Sequence, residues 1–190
     1  YGTNFLAANV KDWGAGPMAD IMQMTDLAIN EGWVDTTQLA VTGGSYAGYL
    51  VTWMLGHTNR FKVACSQRGV YELSTFFGEG NAWRLNPRYF GGYPWEKMTR
   101  VILDRESPMT YVQNIRTPLI IFHGENDLRT GVIGSEMLYK SLKILGRDVK
   151  YVRHPEASHE ITRAGNNRQR IDQMLRTYEF FSRYLKLNKS

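Results

Sequence analysis

The chain contains 190 residues, 43% of them hydrophobic and 13% aromatic, and carries a formal net charge of +5 at pH 7. This length and apolar content are enough for one globular core and exclude a disordered protein, and no apolar run approaches the roughly 18 residues of a membrane-spanning helix. Cys65 is the single cysteine, so an internal disulfide is excluded, and we expect it to pack as a small buried side chain.

The first part of the chain alternates helix-like and strand-like segments. Pro17 suits the first turn of a helix, and Gly32 suits its end. The run that follows Ser45 is apolar nearly all round, which is typical of a buried helix. These patterns predict a helix over 17–31, a strand over 38–42, a helix over 46–58 and a strand over 61–66.

The stretch over 70–117 breaks this alternation and is rich in aromatic residues, glycine and proline. We interpret it as a long excursion above the sheet, with a helix or two of its own. Phe76, Phe77 and Trp83 are candidates for lining a substrate pocket in this excursion. The alternative is that their rings only pack the excursion onto the sheet.

The second part of the chain returns to alternating elements. The segment LIIFH, over 119–123, is almost wholly apolar, which is typical of a strand buried on both faces. The patterns predict strands over 119–123 and 149–153 and helices over 132–145 and 167–185. Strands separated by helices indicate an α/β fold with a mostly parallel sheet and helices on both faces. One side of the terminal helix is apolar, which predicts its packing face: Ile171, Met174, Leu175, Tyr178 and Phe181.

Basic residues are concentrated near the end of the chain: Arg163, Arg168, Arg170, Arg176, Arg183, Lys186 and Lys189. We interpret them as the solvated outer face of the terminal helix. A nucleic-acid surface is the alternative, but no signature of a nucleic-acid-binding module accompanies the charge. Neither nucleic acid nor a membrane is therefore expected as a partner.

The segment VTGGSYAGYL, over 41–50, places a serine between a predicted strand and a predicted helix. A sharp turn of the form G-x-S-x-G at such a junction presents a serine hydroxyl as a nucleophile, and it needs tiny neighbours because strand and helix nearly touch. Here Gly43 and Ser45 match the pattern and Ala47 replaces the final glycine, the smallest possible departure. The alternative is a glycine-rich turn whose serine only caps the helix.

A serine nucleophile of this kind requires an acid and a base on loops after later strands, in the order Ser, Asp, His. After the strand over 119–123 the chain offers Glu125 and Asp127. We prefer Asp127 because it lies deeper in the loop, where the chain has room to turn back toward the serine. The alternative role for Asp127 is an Asx turn or a helix cap.

After the last predicted strand the chain offers His154 and His159. His154 directly precedes a proline and is held close to the sheet, whereas His159 follows a turn that gives it reach, so His159 is the predicted base. We interpret His57 and His123 as structural. The histidines lack metal-ligand spacing and no Cys/His cluster exists, so no metal and no other cofactor is proposed.

The roles follow from the chemistry of acyl transfer. Ser45 attacks a carbonyl carbon, His159 takes the serine proton and returns it to the leaving group, and Asp127 fixes the imidazole tautomer. The backbone N–H of Tyr46, the residue after the nucleophile, is one of two donors that the tetrahedral oxyanion needs.

Four ordered motifs, covering nearly the whole chain, together resemble the prolyl oligopeptidase family of serine peptidases, most closely its acylaminoacyl-peptidase-like branch. They are DWGAG, GGSYAGYLVTWMLGHTNRFKVACSQRGV, SPMTYVQNIRTPLIIFHGENDLR and GRDVKYVRHPEASHE. The resemblance implies an α/β-hydrolase fold, an N-terminal β-propeller that restricts access to short peptides, and the same triad of Ser45, Asp127 and His159. It also implies that Arg129 binds a substrate backbone carbonyl, as a guanidinium beside the triad is suited to do. The alternative for Arg129 is a pair with Glu125.

Only the later strands of such a domain are recognisable in this sequence. We therefore expect residues 1–190 to be the C-terminal portion of an α/β-hydrolase catalytic domain, with the early strands, the loop that carries the second oxyanion donor and the propeller outside this chain. Two expectations follow. The isolated 190 residues should be weakly active, and the strand that precedes Ser45 should need pairing with the missing part or with another copy in a homo-oligomer.

The leading interpretation is a serine peptidase that hydrolyses short peptides, including N-acylated ones, through an acyl-enzyme on Ser45. One alternative is a carboxylesterase of the same fold, because ester and amide hydrolysis share the triad. A second is a non-catalytic hydrolase-like module that binds a partner. The sequence does not determine the compartment, although the cytoplasm is favoured.

Overall fold

The computed structural model describes residues 2–186, so Lys189 of the basic cluster lies outside the described residues. Four parallel strands form one sheet in the order β1-β2-β3-β4, which is also their order along the chain. The strands are β1 (Ala40–Gly44), β2 (Val63–Gln67), β3 (Leu119–Gly124) and β4 (Val149–His154). All four predicted strands therefore exist, and β1 and β2 each begin two residues later than the sequence pattern indicates.

Helices connect the strands and cover both faces of the sheet. The α-helices are α1 (Gly2–Ala7), α2 (Ala15–Asn30), α3 (Tyr46–His57), α4 (Leu73–Gly78), α5 (Leu85–Phe90), α6 (Lys97–Glu106), α7 (Ile133–Ile144), α8 (Ile161–Ala164) and α9 (Asn167–Phe181). Short 3₁₀ helices occupy Ala82–Arg84 and Pro108–Asn114. The predicted excursion over 70–117 is thus a group of short helices between β2 and β3, as the loss of alternation indicated.

The two inner strands bury side chains on both faces: every residue of β3 is buried, as are the first four residues of β2, which is why the sequence of β3 is almost continuously apolar. On one face, Ala64, Leu119 and Ile121 pack in a core with α3 and α7. On the other face, Cys65, Ile120 and Phe122 form a second core, and α9 contributes Phe180 to it. Cys65 is fully buried, as expected of a small apolar side chain.

The terminal helix does not use its apolar side as predicted. Helix α9 buries Gln173 and Phe180 against the sheet, and Phe181 is partly buried. The remaining apolar residues of that side are exposed by more than half: Ile171, Met174, Leu175 and Tyr178. The prediction of the packing face was wrong because periodicity locates an apolar side but does not say which element is available to cover it.

A third cluster fills the excursion and lies beside the start of α3. Trp13 is its centre, in ring contact with Tyr46, Tyr49, Tyr89 and Phe90. Aromatic pairs of this kind bury large areas and prefer the edge-to-face geometries observed here. The cluster therefore fixes the excursion over the carboxyl ends of the strands, where ligands of open parallel sheets bind.

Candidate active site

Ser45 lies in the turn between β1 and α3 with φ 61° and ψ −124°. A non-glycine residue at positive φ away from the helical region is strained, and such strain is characteristic of functional sites. The backbone N–H of Ser45 donates to the carbonyl of Gln67 at 2.9 Å, which ties the turn to β2. The alternative, a serine that only caps the helix, is not seen, since the Ser45 side chain makes no cap hydrogen bond to α3.

The small residues around Ser45 are required by the close approach of backbone segments. A Cβ added to Gly43 would lie 2.5 Å from the carbonyl oxygen of Ala47, and one added to Gly48 would lie 2.7 Å from that of Gln67. The side chain of Ala47 fits because it faces Gly43, which has no Cβ. The departure from G-x-S-x-G is therefore accommodated by the glycine at the start of the motif.

The structure brings together the three side chains that the sequence singled out. His159 Nε2 lies 2.9 Å from Ser45 Oγ, and His159 Nδ1 lies 2.7 Å from Asp127 Oδ2. The three residues come from the ends of β1, β3 and β4, whose carboxyl ends meet at one edge because the strands are parallel. In this arrangement the Asp127 carboxylate accepts a hydrogen bond from the protonated Nδ1, so Nε2 is free to accept the serine proton.

Asp127 is held by the backbone of its own loop as well. Its Oδ1 accepts N–H groups from Arg129 at 2.8 Å and Thr130 at 3.0 Å, and its Oδ2 accepts the Thr130 hydroxyl at 3.0 Å. Burial by itself raises the pKa of this carboxyl, but hydrogen bonds from His123, His159 and the Thr130 backbone outweigh it and hold the pKa well below its usual range. The loop therefore keeps Asp127 ionised.

A second histidine lies on the other side of Asp127, and the sequence analysis treated it as structural. His123 Nε2 lies 3.2 Å from Asp127 Oδ2, and its Nδ1 lies 2.7 Å from Ser135 Oγ on α7. His123 and Ser135 are both fully buried. The sequence signal for this contact was the spacing of four residues between His123 and Asp127. Because Asp127 lies in the loop after β3, that spacing does not determine whether the two side chains point toward each other.

The remaining histidines lie away from the serine. His154 is buried at the end of β4 and stacks on Phe122, with ring centroids 5.9 Å apart. His57 Nδ1 donates a hydrogen bond to the Trp53 carbonyl at 2.8 Å, and the His57 ring stacks on the Trp53 indole. Among residues 2–186, no group of three His, Cys, Asp or Glu side chains is arranged to hold a metal ion.

Tyr46 is the first residue of α3, so its backbone N–H belongs to the first turn, where helical hydrogen bonding leaves donors free. Its phenol donates to the carbonyl of Trp13 at 2.7 Å, which fixes the residue after the nucleophile against the excursion. Burial raises the pKa of the Tyr46 phenol, helped by the nearby carboxylates of Asp12 and Glu106. Tyr46 is therefore a neutral hydrogen-bond donor at physiological pH.

A cavity of about 320 Å³ opens beside Ser45. Its walls are mainly apolar: Trp13, Tyr46, Val70, Phe76, Ala82, Leu85 and Tyr89, with Asn9, Arg129 and Thr130 supplying polar groups. Of the three aromatic candidates from the sequence, Phe76 lines this cavity. Phe77 packs against Tyr93 and Trp95 instead, and Trp83 is 42% exposed beneath Arg84.

Trp13 is one of the wall residues that the sequence did not assign to the site, although it belongs to the DWGAG motif. It lies two residues before the start of α2, and the motif does not show that its side chain lies beside a serine more than thirty residues later. The buried carboxylate of Glu106 accepts the backbone N–H groups of Trp13 and Gly14, at 3.1 and 3.2 Å, and so places the indole. This contact across more than ninety residues is a tertiary feature.

Arg129 lines the same cavity, and its side chain is exposed at the mouth. The alternative pairing of Arg129 with Glu125 is not what the structure shows, because the Glu125 carboxylate pairs with Arg153 at 3.1 Å.

Within residues 2–186, no helix is both long and apolar enough to cross a membrane.

A parallel sheet flanked by helices, with a serine on a strained strand-to-helix turn and an acid and a histidine on later loops, defines the α/β-hydrolase class. Comparison with known proteins narrows the class. The model of the prolyl oligopeptidase family matches residues 1–188, and the chain belongs to that family.

Relatives and solved structures agree with this assignment. The uncharacterized peptidase YuxL of Bacillus subtilis is 38% identical over 192 residues, which cover 97% of this chain and 28% of that protein. The acylamino-acid-releasing enzyme of Arabidopsis thaliana is 24% identical, over 98% of this chain and 25% of that enzyme. The acylaminoacyl peptidase of Pyrococcus horikoshii superposes on all of this chain and 31% of its own, with a TM-score of 0.91 and 26% identity. The chain thus spans less than a third of the length of each.

Proposed function

We propose that the protein is a serine peptidase that hydrolyses short peptides through an acyl-enzyme on Ser45. The observation that carries the proposal is the continuous hydrogen-bonded line from Ser45 through His159 to Asp127, with contacts of 2.9 and 2.7 Å. A serine is a weak nucleophile until an adjacent base takes its proton, and this geometry supplies that base. Membership of the prolyl oligopeptidase family supports a peptide bond as the target.

In the proposed reaction Ser45 Oγ attacks the peptide carbonyl carbon while its proton passes to His159 Nε2. The carbonyl oxygen becomes an oxyanion, and the backbone N–H of Tyr46 is proposed to stabilise it. The C–N bond then breaks as His159 donates the proton to the leaving amine, which leaves the acyl group on Ser45. Water, deprotonated by His159, then attacks the acyl carbon. The bond to Ser45 Oγ breaks, the carboxylic acid product leaves, and His159 returns the proton to Oγ.

The cavity beside Ser45 is proposed to hold the apolar group next to the cleaved bond. Its wall of aromatic and aliphatic side chains suits a large hydrophobic side chain, whose burial drives binding without directional contacts. Arg129, at the mouth, is proposed to donate to a backbone carbonyl of the peptide. An N-acylated substrate is a finer proposal, supported by the names of relatives such as the acylamino-acid-releasing enzyme of Arabidopsis thaliana.

We also propose that these 190 residues work as the C-terminal portion of a larger catalytic unit. The relatives and the solved structures are all more than three times longer than the matched region. Strand β1, which Ser45 directly follows, lies at one edge of the sheet. Its outer edge presents unpaired backbone groups to which another strand can bind. Further residues of the same protein, or a second copy of it, are the proposed partners of this edge.

The test is covalent labelling of the whole natural protein that contains this chain with a fluorophosphonate. We expect labelling of Ser45 in the unmodified protein and none in Ser45→Ala, while His159→Ala should label far more slowly, because removal of a triad member lowers the rate by several orders of magnitude. Thermal unfolding of each variant controls for misfolding. Absence of labelling in the folded unmodified protein would support the non-catalytic module.

A comparison of substrates separates the two hydrolase candidates. The unmodified protein is expected to cleave an N-acetyl-phenylalanyl p-nitroanilide, which has an apolar side chain for the cavity beside Ser45. A simple p-nitrophenyl ester tests the esterase alternative. Turnover of the ester alone, with no cleavage of the anilide or of short peptides, would favour a carboxylesterase over a peptidase.

A further inference from the structure

The carboxylate of Asp127 lies between two serine–histidine pairs. On the outer side is His159, which contacts Ser45, and on the inner side is His123, which contacts Ser135. The inner pair is fully buried, so no substrate reaches Ser135 and the pair does not form a second catalytic centre. What the inner pair shares with the reaction is one atom, Oδ2 of Asp127.

Counting protons fixes the tautomer of the inner histidine. An ionised carboxylate only accepts hydrogen bonds, so the nitrogen of His123 that faces Asp127, Nε2, must carry a proton. The other nitrogen, Nδ1, is then an acceptor in the neutral ring, and the hydroxyl of Ser135 lies 2.7 Å away to donate to it. Ser135 therefore locks His123 in the form that donates to Asp127. The outer ring has the opposite tautomer, with its proton on Nδ1.

We propose that His123 is a positioning residue for the hydrolysis: kept by Ser135 in the tautomer with its proton on Nε2, it donates to Oδ2 of Asp127 and keeps that oxygen on the line to His159. The proposal rests on the proposed function of Ser45. Thr130 completes the arrangement, since its hydroxyl lies 3.0 Å from the same oxygen and 3.5 Å from His123 Nε2. His159, His123 and Thr130 thus each place a donor beside Oδ2, and together they hold the Asp127 carboxylate in one orientation.

His123 also affects how much negative charge Asp127 offers to His159. Its hydrogen bond is the strongest of the interactions that hold the pKa of Asp127 below the usual range. The charged groups that act on this site from the surrounding elements are Arg68 after β2, Glu79 after α4 and His159 itself. Removing the donor at His123 leaves more of the carboxylate charge to stabilise the His159 imidazolium.

The experiment compares three variants of the whole natural protein with a matched control. His123→Phe keeps a ring of similar size and removes the donor, His123→Gln retains an N–H donor, and Ser135→Ala removes the tautomer lock. The control is His154→Phe, which removes another buried imidazole from the end of the neighbouring strand without contact to Asp127. Fluorophosphonate titration counts the active sites of each protein, so that kcat is expressed per competent serine.

For His123→Phe we expect kcat per titrated site to fall on the order of tenfold, the typical effect of losing one hydrogen bond to a charged group, with KM within about twofold. The pH below which kcat/KM falls, which is the acid limb of the profile, should move higher. His123→Gln should largely restore both kcat per titrated site and the position of the acid limb. Ser135→Ala should shift them in the same direction by less, and His154→Phe should change neither.

A purely structural role makes a different prediction. If His123→Phe and His154→Phe both lower the melting temperature while kcat per site and the acid limb stay unchanged, the proposal is wrong. Should His123→Phe fail to fold, Ser135→Ala decides, because it removes a single hydroxyl, and an unchanged pH profile for that variant overturns the proposal. Failure of the proposed function is distinguishable, because the unmodified protein would then not be labelled at Ser45.

Discussion

At the scale of single residues, the serine turn shows how close packing selects side chains. Ser45 adopts positive φ, and the backbone of α3 passes so close to β1 that Gly43 has no room for a Cβ. The methyl group of Ala47 is tolerated only because it faces that glycine. The sharp turn at Ser45 therefore depends on the pair of Gly43 and Ala47 rather than on two independent small residues.

A substitution at Gly43 tests this dependence. In Gly43→Ala the new Cβ would meet the Ala47 carbonyl at 2.5 Å, and backbone does not give way easily. We expect unfolding stability to fall by about 1–3 kcal/mol, as for overpacked cores, and kcat/KM to fall about a hundredfold as Ser45 shifts. Gly78→Ala is the control, since nothing lies within 4 Å of its Cβ position. Equal behaviour of the two variants would contradict the packing argument.

At the scale of secondary-structure elements, helix α6 positions a wall of the cavity although none of its residues touches the serine. Its last residue, Glu106, is buried and accepts the backbone N–H groups of Trp13 and Gly14. The Tyr49 phenol, in α3, donates to the Glu106 carbonyl at 2.8 Å. The end of α6 thus ties the segment before α2 to the helix that follows the nucleophile.

Removing this carboxylate should loosen the cavity wall. In Glu106→Ala two buried N–H groups lose their acceptor, and each costs about 1–3 kcal/mol of unfolding free energy. Because Trp13 lines the cavity, we expect KM for an apolar anilide substrate to rise more than kcat falls. Asp104→Ala is the matched control: its carboxylate is half exposed and pairs with Arg100 on the same helix, so its loss should cost less than about 1 kcal/mol. Denaturant titration and steady-state kinetics measure both effects.

At the scale of the whole molecule, exposed apolar side chains lie on the helices at both faces of the edge strand β1. On one side of the sheet, α2 exposes Met24 and Leu27, and on the other side α9 exposes Met174 and Tyr178. A surface cavity lined by α9 lies on one face of β1, and a second one lined by α2 lies on the other face. Apolar surface next to an unpaired strand edge favours association.

The isolated 190-residue chain is therefore expected to self-associate and to bind a dye such as ANS at micromolar concentration. Light scattering measures the association, and a double substitution of Met174→Lys and Tyr178→Lys should reduce it by placing charge on the apolar surface of α9. A well-ordered monomer that binds no dye would contradict this expectation. The same substitutions in the whole natural protein test whether its other residues cover α9, since they should then lower its stability.

Much of this architecture could be predicted from local patterns. The continuous apolar run of β3 identified a strand buried on both faces. The small residues around Ser45 identified the sharp strand-to-helix turn that presents the serine. Chain order then placed Asp127 and His159 on loops at the same sheet edge, because parallel strands bring their carboxyl ends together. These inferences succeeded because each depends on residues that are neighbours in sequence or on a topology that the alternation of elements determines.

The sequence by itself determined the α/β class, the family, and the residues that line up at the candidate site. Only the tertiary structure decided which side of α9 is buried, that Trp13 lines the cavity and that His123 contacts Asp127. The physical reason is the same in each case. Periodicity and turn chemistry act over a few residues, whereas burial and hydrogen bonding across the fold depend on which distant segment occupies the space opposite a side chain.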